Sequence, residues 1–447
     1  MITVLMIAYN EIENVKMSVE SFRLFCDVEI SLVIVDNGSE DGLWDWAKEQ
    51  LDITYVRTDE RPMSCGKALN LVRKELEIDT DLLVIECRYM ITPQYLSRMR
   101  EMLYSEENVG AVAGIVCNTP QFNPNRPVCI QNYEEAIRIS DKEERAKGKY
   151  ALMVRDDCAV LWKKEVLKEI GDFEETVNSV DTMICDYCIR TILTKQKIMI
   201  CLNAFLWQMN VRGPMGMADL GNKGGWNALE KKWGMHYFND IYNPQLIEMI
   251  ERGTKDVFSV LEIGCDCGAT LLEVKNRFPN VQVYGCDINV AAIAIASQVA
   301  DAVVNNIEER NLPFPKGNFD YIIFGDVLEH LHNPMETLVY CKGFLKAGGA
   351  IIASIPNLMH ISVIEKLLQG DFTYAETGLL DKTHIHMFTF NEIVRMFDCV
   401  GLQISRLATS LTAISDRQRA LIDNLLVLED KAQRFMYETF QFAVRAE

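Results

Sequence analysis

Residues 257–268 read VFSVLEIGCDCG, an apolar strand that runs into a turn containing two glycines. The strand is predicted over Val257–Ile263, and helical sequence begins at Ala269. Gly264 and Gly268 have no Cβ, so the backbone can pass close to a ligand at the turn. The helix amino terminus that follows offers N–H groups without intrahelical partners. The stretch therefore predicts a strand, a ligand-binding turn and a helix, without the G-x-G-x-x-G pattern that receives a pyrophosphate.

Two further strands end in acidic residues. The predicted strand Val281–Cys286 is followed by Asp287, and the predicted strand Tyr321–Gly325 is followed by Asp326. A carboxylate at the end of the second strand can accept hydrogen bonds from both hydroxyls of a ribose. Because ligands bind at the carboxyl ends of strands in open α/β sheets, we expect the turn and both acids to line one site.

Short apolar strands alternate with amphipathic helical stretches along the whole chain, which is typical of α/β architecture with a mostly parallel sheet. A chain of 447 residues exceeds one ordinary core, which favours two domains. Residues 211–238 are rich in Gly, Met and Trp and predict a loop around 213–217, then a helix over Trp226–Trp233. We predict an amino-terminal domain over 1–240, a linker helix within 241–256 and a carboxyl-terminal domain over 257–447.

The carboxyl-terminal domain resembles class I methyltransferases of the ubiquinone and sugar O-methyltransferase type. The resemblance rests on Val260–Gly268, Asp287, Leu312–Phe314, Phe319-Asp320, Asp326–Leu331, Leu345–Gly349 and His384–Thr389. It implies a Rossmann-like fold that binds S-adenosylmethionine, with Asp287 on the ribose hydroxyls and Asn306–Glu308 near the adenine. The cofactor-binding residues that it implies are Glu262, Gly264, Cys265, Gly268, Asp287, Ile288, Asn306, Ile307 and Asp326.

Methyl transfer also needs a group that removes the proton of the acceptor. The sulfonium methyl is already electrophilic, so the protein must align an acceptor oxygen and take its proton. Histidine suits that role near neutral pH, and four of the six histidines, at 330, 332, 384 and 386, lie in or directly beside the motifs named above. The candidate bases are His330 first, then His386, then His384. The alternatives are that His330 packs behind the cofactor and that either His384 or His386 is structural.

The amino-terminal domain resembles family-2 inverting glycosyltransferases with the GT-A fold. The resemblance rests on Met6–Glu11, Ile34–Gly42, Gly66–Asn70, Val166–Phe173, Asp186–Arg190 and Trp233-Gly234. It implies a nucleotide-sugar donor whose base or ribose contacts Asp36, and a strand-end Asp beside a glycine turn suits that contact. The donor-binding residues that it implies are Ala8, Asn10, Glu11, Asp36, Lys67, Glu86 and Arg88.

Three motifs of that family are altered here. Relatives carry an Asp-x-Asp pair for Mg²⁺ or Mn²⁺, a Glu-Asp pair that includes the general base, and a metal-proximal histidine. The corresponding residues are Glu86-Cys87-Arg88, Met183-Ile184 and Gln208. Either Arg88 supplies the positive charge in a metal-independent transferase, or sugar transfer by the domain is impaired or lost, which is the interpretation we favour. The acids left for a metal would be Glu86 with Asp181 or the Asp156-Asp157 pair, and no metal site is predicted.

Composition excludes several classes of partner. The formal net charge of −19 argues against nucleic-acid binding. No apolar run reaches the ~20 residues that span a bilayer, and the amino terminus has no signal-peptide pattern, so we expect a cytoplasmic protein without a membrane segment. The 14 cysteines are scattered, many of them within apolar runs, as expected of reduced thiols. The single C-x-x-C, Cys185 and Cys188, has no second pair at a zinc-site spacing.

Together these features predict a glycan-tailoring protein. The second domain would methylate a sugar hydroxyl on a glycan or glycosylated protein, such as one on flagellin or in a capsule. The alternatives for the first domain are an active, metal-independent glycosyltransferase and a module that only binds a glycan or a partner, since fold does not imply function.

Overall fold

The computed structural model describes residues 1–59, 62–117, 130, 132–141, 145–154, 159–177, 179–209, 222–235, 240–428 and 432–447. The chain forms two compact units, Met1–Asp240 and Ile241–Glu447. The loop predicted around 213–217 and the Asp156-Asp157 pair lie outside the described residues. Every helix in the described ranges is too short or too polar to cross a membrane.

A nine-stranded sheet forms the centre of the first unit. Its strands are β1 (Ile2–Ala8), β2 (Ile30–Asp36), β3 (Thr54–Arg57), β4 (Asp81–Glu86), β5 (Tyr89–Ile91), β6 (Val109–Cys117), β7 (Gly148–Ala151), β8 (Ala159–Trp162) and β9 (Lys197–Gln208). They lie in the order β3-β2-β1-β4-β8-β6-β9-β5, and β7 pairs with β9. The first four strands are parallel, whereas β8 runs antiparallel to both of its neighbours.

Side chains cap some of the helices of the first unit. The helices are α1 (Ile12–Phe25), α2 (Leu43–Ala47), α3 (Cys65–Glu75), α4 (Tyr95–Leu103), α5 (Tyr133–Ser140), α6 (Lys164–Ile170), α7 (Val180–Leu193) and α8 (Asn222–Trp233). Ser64 caps α3 by accepting from the amide of Lys67, and Ser179 caps α7 by accepting from the amide of Thr182. Most of α7 is buried, as expected from its apolar sequence.

Strand register brings part of the predicted donor site together. In the parallel ladders Ala8 lies opposite Asp36, and Ile7 lies opposite Glu86. All three strands are mostly apolar before these positions and buried along this edge. The carboxyl ends of β1, β2 and β4 therefore place Ala8, Asp36 and Glu86 side by side.

The second unit is built on a seven-stranded sheet. Its strands are β10 (Ser259–Ile263), β11 (Gln282–Asp287), β12 (Asp301–Val304), β13 (Phe319–Gly325), β14 (Leu345–Pro356), β15 (Ile404–Leu411) and β16 (Thr439–Ala446). The order is β12-β11-β10-β13-β14-β16-β15. The first five strands in this order are parallel, and β16 is antiparallel to both of its neighbours. The chain runs from β10 outward to β12 and then crosses to β13, so the strand order reverses beside β10. Ligands bind at such a reversal in open α/β sheets.

Helices cover both faces of this sheet. They are α9 (Pro244–Glu248), α10 (Ala269–Arg277), α11 (Val290–Ala296), α12 (Pro334–Lys342), α13 (Ile361–Leu368), α14 (Phe390–Cys399), α15 (Asp416–Leu428) and α16 (Arg434–Glu438), with short 3-10 helices over Ile307–Glu309 and Leu328–His330. In the segment predicted as a linker, Leu246 and Ile247 of α9 are buried in the core of the second unit. The two sheets with their helices confirm the predicted α/β class with two domains.

Candidate active site

Two glycines in left-handed conformations form the turn after β10. Gly264 has a φ of +70° and Gly268 a φ of +85°. A Cβ on Gly264 would lie 2.5 Å from Cγ2 of Val327, which follows β13, so the two loops meet at the strand reversal. The turn is also tied to β11, because the amides of Gly264 and Cys265 donate to the carbonyl oxygen of Cys286 at 2.9 and 3.1 Å. The backbone of this turn is therefore fixed on both sides.

Glu262 places a buried carboxylate at the end of β10. The residue is 4% exposed, and its Oε2 has no hydrogen-bond partner among the described residues. Burial, together with the charges of Asp266 and Asp287, raises the pKa of Glu262 to about 8. A buried carboxylate without a partner is costly, and a cationic group on a ligand would offset that cost. S-adenosylmethionine carries an ammonium and a sulfonium, so these residues fit the cofactor that the resemblance implies.

Asp287 connects the loops around the turn. Its Oδ2 accepts from the amide of Asp266 at 2.9 Å, and its Oδ1 accepts from the amide of Asn289 at 2.8 Å. Burial and the charge of Asp287 raise the pKa of Asp266 to about 6. A carboxylate oxygen has two lone pairs, so the half-buried Asp287 can still accept hydrogen bonds from a ribose.

Four other predicted cofactor residues differ in exposure. Cys265 is buried, and a Cβ on Gly285 would lie 2.6 Å from its Sγ. Ile307 is also buried, within the core beside β11 and β13. Ile288 is 73% exposed, and Asn306 is exposed while its side chain caps the 3-10 helix at Ile307–Glu309. The side chains of Ile288 and Asn306 are therefore accessible to a ligand, whereas those of Cys265 and Ile307 pack inward.

Two residues that sequence reasoning missed hold Asp326. Asp326 has a left-handed φ of +53°, its amide donates to Oγ of Ser354 at 3.1 Å, and that hydroxyl donates back to Oδ1 at 3.1 Å. The side-chain amide of Gln441 on β16 also donates to Oδ1. A serine within the apolar run of β14 is the one signal that could have marked Ser354. Gln441 lies 115 residues along the chain from Asp326, and no local pattern marks it.

His330 and His384 form a close pair. Their ring centroids are 4.8 Å apart in an edge-to-face arrangement. Nδ1 of His330 lies 3.1 Å from the carbonyl oxygen of Thr383, and Nδ1 of His384 lies 3.2 Å from that of Leu379. A carbonyl oxygen only accepts, so each ring carries its proton on Nδ1 and keeps a lone pair on Nε2. Burial and the nearby His330 lower the pKa of His384, which favours its neutral form.

His386, the second candidate base, has different partners. Its Nε2 lies 3.3 Å from the carbonyl oxygen of His332, and its ring lies 5.9 Å from that of Phe388. His332 in turn directs its Nδ1 to Glu308 at 3.0 Å. The structure thus pairs His330 with His384 and directs one nitrogen of His386 to the backbone.

In the first unit, protein groups surround Asp36. This residue is fully buried; Oδ1 accepts from the amide of Ser39 at 2.8 Å, and the hydroxyl of Tyr55 donates to Oδ2. Asn10, with a φ of +55°, donates its amide to Oγ of Ser39 at 2.9 Å and accepts from the amide of Glu40 at 2.8 Å. These bonds fix the loops after β1 and β2, and a donor would have to use the remaining lone pairs of Asp36.

The other predicted donor-binding residues have different surroundings. Glu11 precedes α1 and accepts from the thiol of Cys87 at 3.0 Å, and Lys67 is exposed on the first turn of α3. Arg88 places its Nε 2.5 Å from Oε2 of Glu86, and its guanidinium lies 5.5 Å from the ring centroid of Tyr89. The carboxylate that would ligate a divalent cation is therefore paired with a cation from the protein itself.

The altered base motif lies in a buried part of α7. Met183 and Ile184 are buried apolar residues. Asp186 on the same helix is fully buried and forms ion pairs with Arg190 at 2.8 Å and Lys232 at 2.7 Å. Asp186 therefore joins α7 to α8. The thiols at 185 and 188 are buried in α7 as well, and burial raises the pKa of the second to about 12.

Comparison with known families matches both units. A family described as "Methyltransferase domain" matches residues 235–407, and a family described as "Glycosyl transferase family 2" matches residues 3–171.

Curated relatives match part of the chain. The ubiquinone biosynthesis O-methyltransferase of Shewanella halifaxensis is 27% identical over 164 residues, which cover 35% of this chain and 69% of that protein. The malonyl-[acyl-carrier protein] O-methyltransferase of a Paenibacillus species is 27% identical over 115 residues, which cover 24% of this chain and 42% of that protein. The matches to these relatives thus span between about two fifths and two thirds of their length.

Solved structures resemble each half. A SAM-dependent methyltransferase from Archaeoglobus fulgidus matches with a TM-score of 0.35 and 18% identity, over 49% of this chain and 98% of its own. A mannosyltransferase from Pyrobaculum calidifontis matches with a TM-score of 0.36 and 15% identity, over 52% of this chain and 60% of its own.

Proposed function

We propose that this chain, which joins a glycosyl transferase family 2 domain to a class I methyltransferase domain, transfers a methyl group from S-adenosylmethionine to a hydroxyl oxygen of a glycan. The observation that carries the proposal is the buried carboxylate of Glu262, whose Oε2 has no hydrogen-bond partner among the described residues, beside the Gly264–Gly268 turn. We also propose that the protein is cytoplasmic.

In this proposal the cofactor lies across the carboxyl ends of β10 to β13. Glu262 pairs with its ammonium group, Asp287 accepts from the ribose hydroxyls, and Asn306 lies near the adenine. Gly264 and Gly268 allow the backbone to approach the ligand because neither carries a Cβ. Asp326, held by Ser354 and Gln441, borders the same site from β13. The bound cofactor supplies an electrophilic methyl group.

The acceptor hydroxyl would approach the pair His330 and His384. A neutral hydroxyl is a weak nucleophile, and removal of its proton by a general base is typically worth ~10²–10⁴ in rate. Each of these rings keeps a lone pair on Nε2, because Nδ1 is directed to a backbone carbonyl. We place the base at His330 and give His384 the role of orienting it through the edge-to-face contact.

Two observations support an oxygen atom of a glycan as the acceptor. Both relatives described above are named as O-methyltransferases. A domain of glycosyl transferase family 2 in the same chain links the methyl transfer to glycans. The glycan would belong to a glycosylated protein, such as flagellin, or to a capsule.

For the first unit we propose glycan or partner binding rather than metal-dependent sugar transfer. The ion pair between Arg88 and Glu86 supports this, because Mg²⁺ prefers oxygen ligands that no protein cation has neutralised. The alternative is transfer without a metal, with Arg88 binding the diphosphate. Calorimetric titration of the full chain with nucleoside diphosphates, with and without Mg²⁺, distinguishes glycan or partner binding from metal-independent transfer. Binding that requires Mg²⁺ would contradict both.

The methyltransferase proposal is tested first through its cofactor. S-adenosylmethionine or its demethylated product should raise the melting temperature of the second unit, because a ligand at 100 times its dissociation constant adds ~2.7 kcal/mol. Isotope-labelled cofactor should then transfer its methyl group to capsular or flagellar glycans. A melting curve that neither compound moves would refute cofactor binding, and label found on nitrogen or carbon atoms would refute O-methylation.

A further inference from the structure

A buried carboxylate lies beside the histidine pair. Glu329 is 0% exposed, and neither of its carboxylate oxygens has a hydrogen-bond partner among the described residues. One potential ligand atom from each of Glu329, His330 and His384 lies within 4.8 Å of the other two. Over the ranges that the structure describes, no other three side chains of metal-ligating type come together in this way.

The backbone holds Glu329 in this position. Its carbonyl oxygen accepts from the amides of Ile385 and His386 at 2.8 and 3.0 Å, which ties the 3-10 helix Leu328–His330 to the segment that carries His384. The side chain is thereby fixed in the interior although nothing in the described chain satisfies its oxygens. Leaving a carboxylate buried without a partner costs several kcal/mol, unless it is protonated or meets a cation.

The two imidazoles are oriented as metal ligands usually are. A metal-ligating histidine typically donates its other N–H to a backbone carbonyl or carboxylate, which fixes the ring and the tautomer. Here Nδ1 of His330 faces the carbonyl oxygen of Thr383, and Nδ1 of His384 faces that of Leu379. Both Nε2 atoms are left with lone pairs. The hydroxyl of Thr383 adds a second contact to Nδ1 of His330, at 3.2 Å.

We propose that Glu329, His330 and His384 bind one divalent transition-metal ion of the Zn²⁺ class. Two imidazoles and one carboxylate are the ligand set of open zinc sites and of non-haem Fe²⁺ sites. Bonds of ~2.0–2.2 Å place ligand atoms roughly 3–3.5 Å apart, so modest side-chain rotations from the present spacing complete the site. Three protein ligands leave a coordination position open.

The open position gives the site a role in substrate recognition. An acceptor hydroxyl oxygen is a ligand that could take it, and this part rests on the proposed function. A metal ion and the proton of the acceptor would both take the lone pair on Nε2 of His330. This residue therefore cannot act as a metal ligand and as the general base at the same time. For that reason the inference is tested by metal binding and not by turnover.

The experiment uses the full chain, stripped with a chelator and then titrated with Co²⁺ and Zn²⁺. Co²⁺ should give a visible d–d absorption band that saturates at one equivalent of the ion, and added Zn²⁺ should displace the bound Co²⁺. Glu329→Gln, His330→Gln and His384→Gln should each lower Zn²⁺ affinity by about 100-fold or more, since even residues that merely orient ligands account for 10–100-fold. His332→Gln is the matched control and should bind like the unchanged protein, because the exposed His332 faces Glu308.

Stabilisation by S-adenosylhomocysteine shows in parallel that each variant is folded. Absence of the Co²⁺ band, or equal Zn²⁺ affinity in all three variants and the unchanged protein, overturns the metal site and indicates a protonated Glu329. Either result with stabilisation by S-adenosylhomocysteine intact leaves the methyltransferase proposal standing. Loss of that stabilisation in the unchanged protein counts against the methyltransferase proposal instead.

Discussion

Replacing Glu262 by Gln tests how the site recognises a cationic cofactor. The pKa of Glu262 is raised to about 8 by burial, against an ordinary value of 4.5. At 1.36 kcal/mol per pKa unit, burial favours the protonated form by roughly 5 kcal/mol. If the cofactor's ammonium pairs with the carboxylate, binding must expel that proton. Cofactor affinity should therefore rise with pH up to about 8 and level off above it.

The expected magnitudes follow from the same pKa. A charge-assisted hydrogen bond contributes ~1.5–3 kcal/mol, so at pH 9 Glu262→Gln should weaken S-adenosylhomocysteine by about 10- to 150-fold. At pH 6, ionising Glu262 costs about 2.7 kcal/mol, which nearly cancels that gain. The variant and the unchanged protein should then bind almost equally. A matched control is Glu251→Gln, on an acid outside the predicted cofactor residues whose pKa is lowered by Arg445.

Calorimetry in buffers of different ionisation enthalpy measures the proton directly. At pH 6.5 the unchanged protein should release about one proton per ligand bound, and Glu262→Gln should release below about 0.3, from Asp266 alone. The stability of the fold responds in the opposite sense: a raised carboxyl pKa stabilises the folded state below pH 4.5, and this stability is lost as the pH rises through about 8. Equal proton release in both proteins would refute the pairing of Glu262 with the ammonium.

Three further outcomes are expected. Gly264→Ala should lower the stability of the second unit by roughly 1–3 kcal/mol, since it has a φ of +70° and its Cβ would meet Val327 at 2.5 Å; Gly317→Ala, with a φ of +65° and open space, should cost less in the same melting experiment. Asp287→Asn should keep the fold and weaken the cofactor by ~1.5–3 kcal/mol, and unchanged affinity by calorimetry would mean that Asp287 does not touch the ribose. His330→Gln should cut turnover ~10²–10⁴-fold with little change in cofactor affinity; full turnover at saturating acceptor would exclude His330 as the base.

Local sequence patterns predicted the strand ends well. The strands predicted over Val257–Ile263, Val281–Cys286 and Tyr321–Gly325 differ from the observed β10, β11 and β13 by one or two residues at their ends. Apolar runs bounded by polar turns indicate where each strand ends. Parallel pairing of neighbouring strands then brings these ends to the same edge of the sheet. The helix expected over Trp226–Trp233 was also found, although it begins four residues earlier, at Asn222.

Contacts between distant segments could not be predicted in this way. Gln441 reaches Asp326, and the backbone of Glu329 meets the segment at 385–386, only because tertiary packing brings them together. The histidines illustrate this point. The sequence did not distinguish the roles of His384 and His386, whereas in the structure His384 pairs with His330 and His386 has other partners. The antiparallel β16 likewise departs from the parallel pattern that the preceding strands predict.

The position of β16 in the sheet has a consequence for how the second unit is made. Because β16 lies between β14 and β15, residues 404–411 have no strand partner until residues 439–446 have been synthesised and inserted. Such pairing between distant segments slows folding. Until β16 is inserted, one edge of β14 is unpaired and Asp326 lacks its contact with Gln441. A protease that removed β16 would expose the edges of both β14 and β15 and would remove the side-chain amide of Gln441 that holds Asp326.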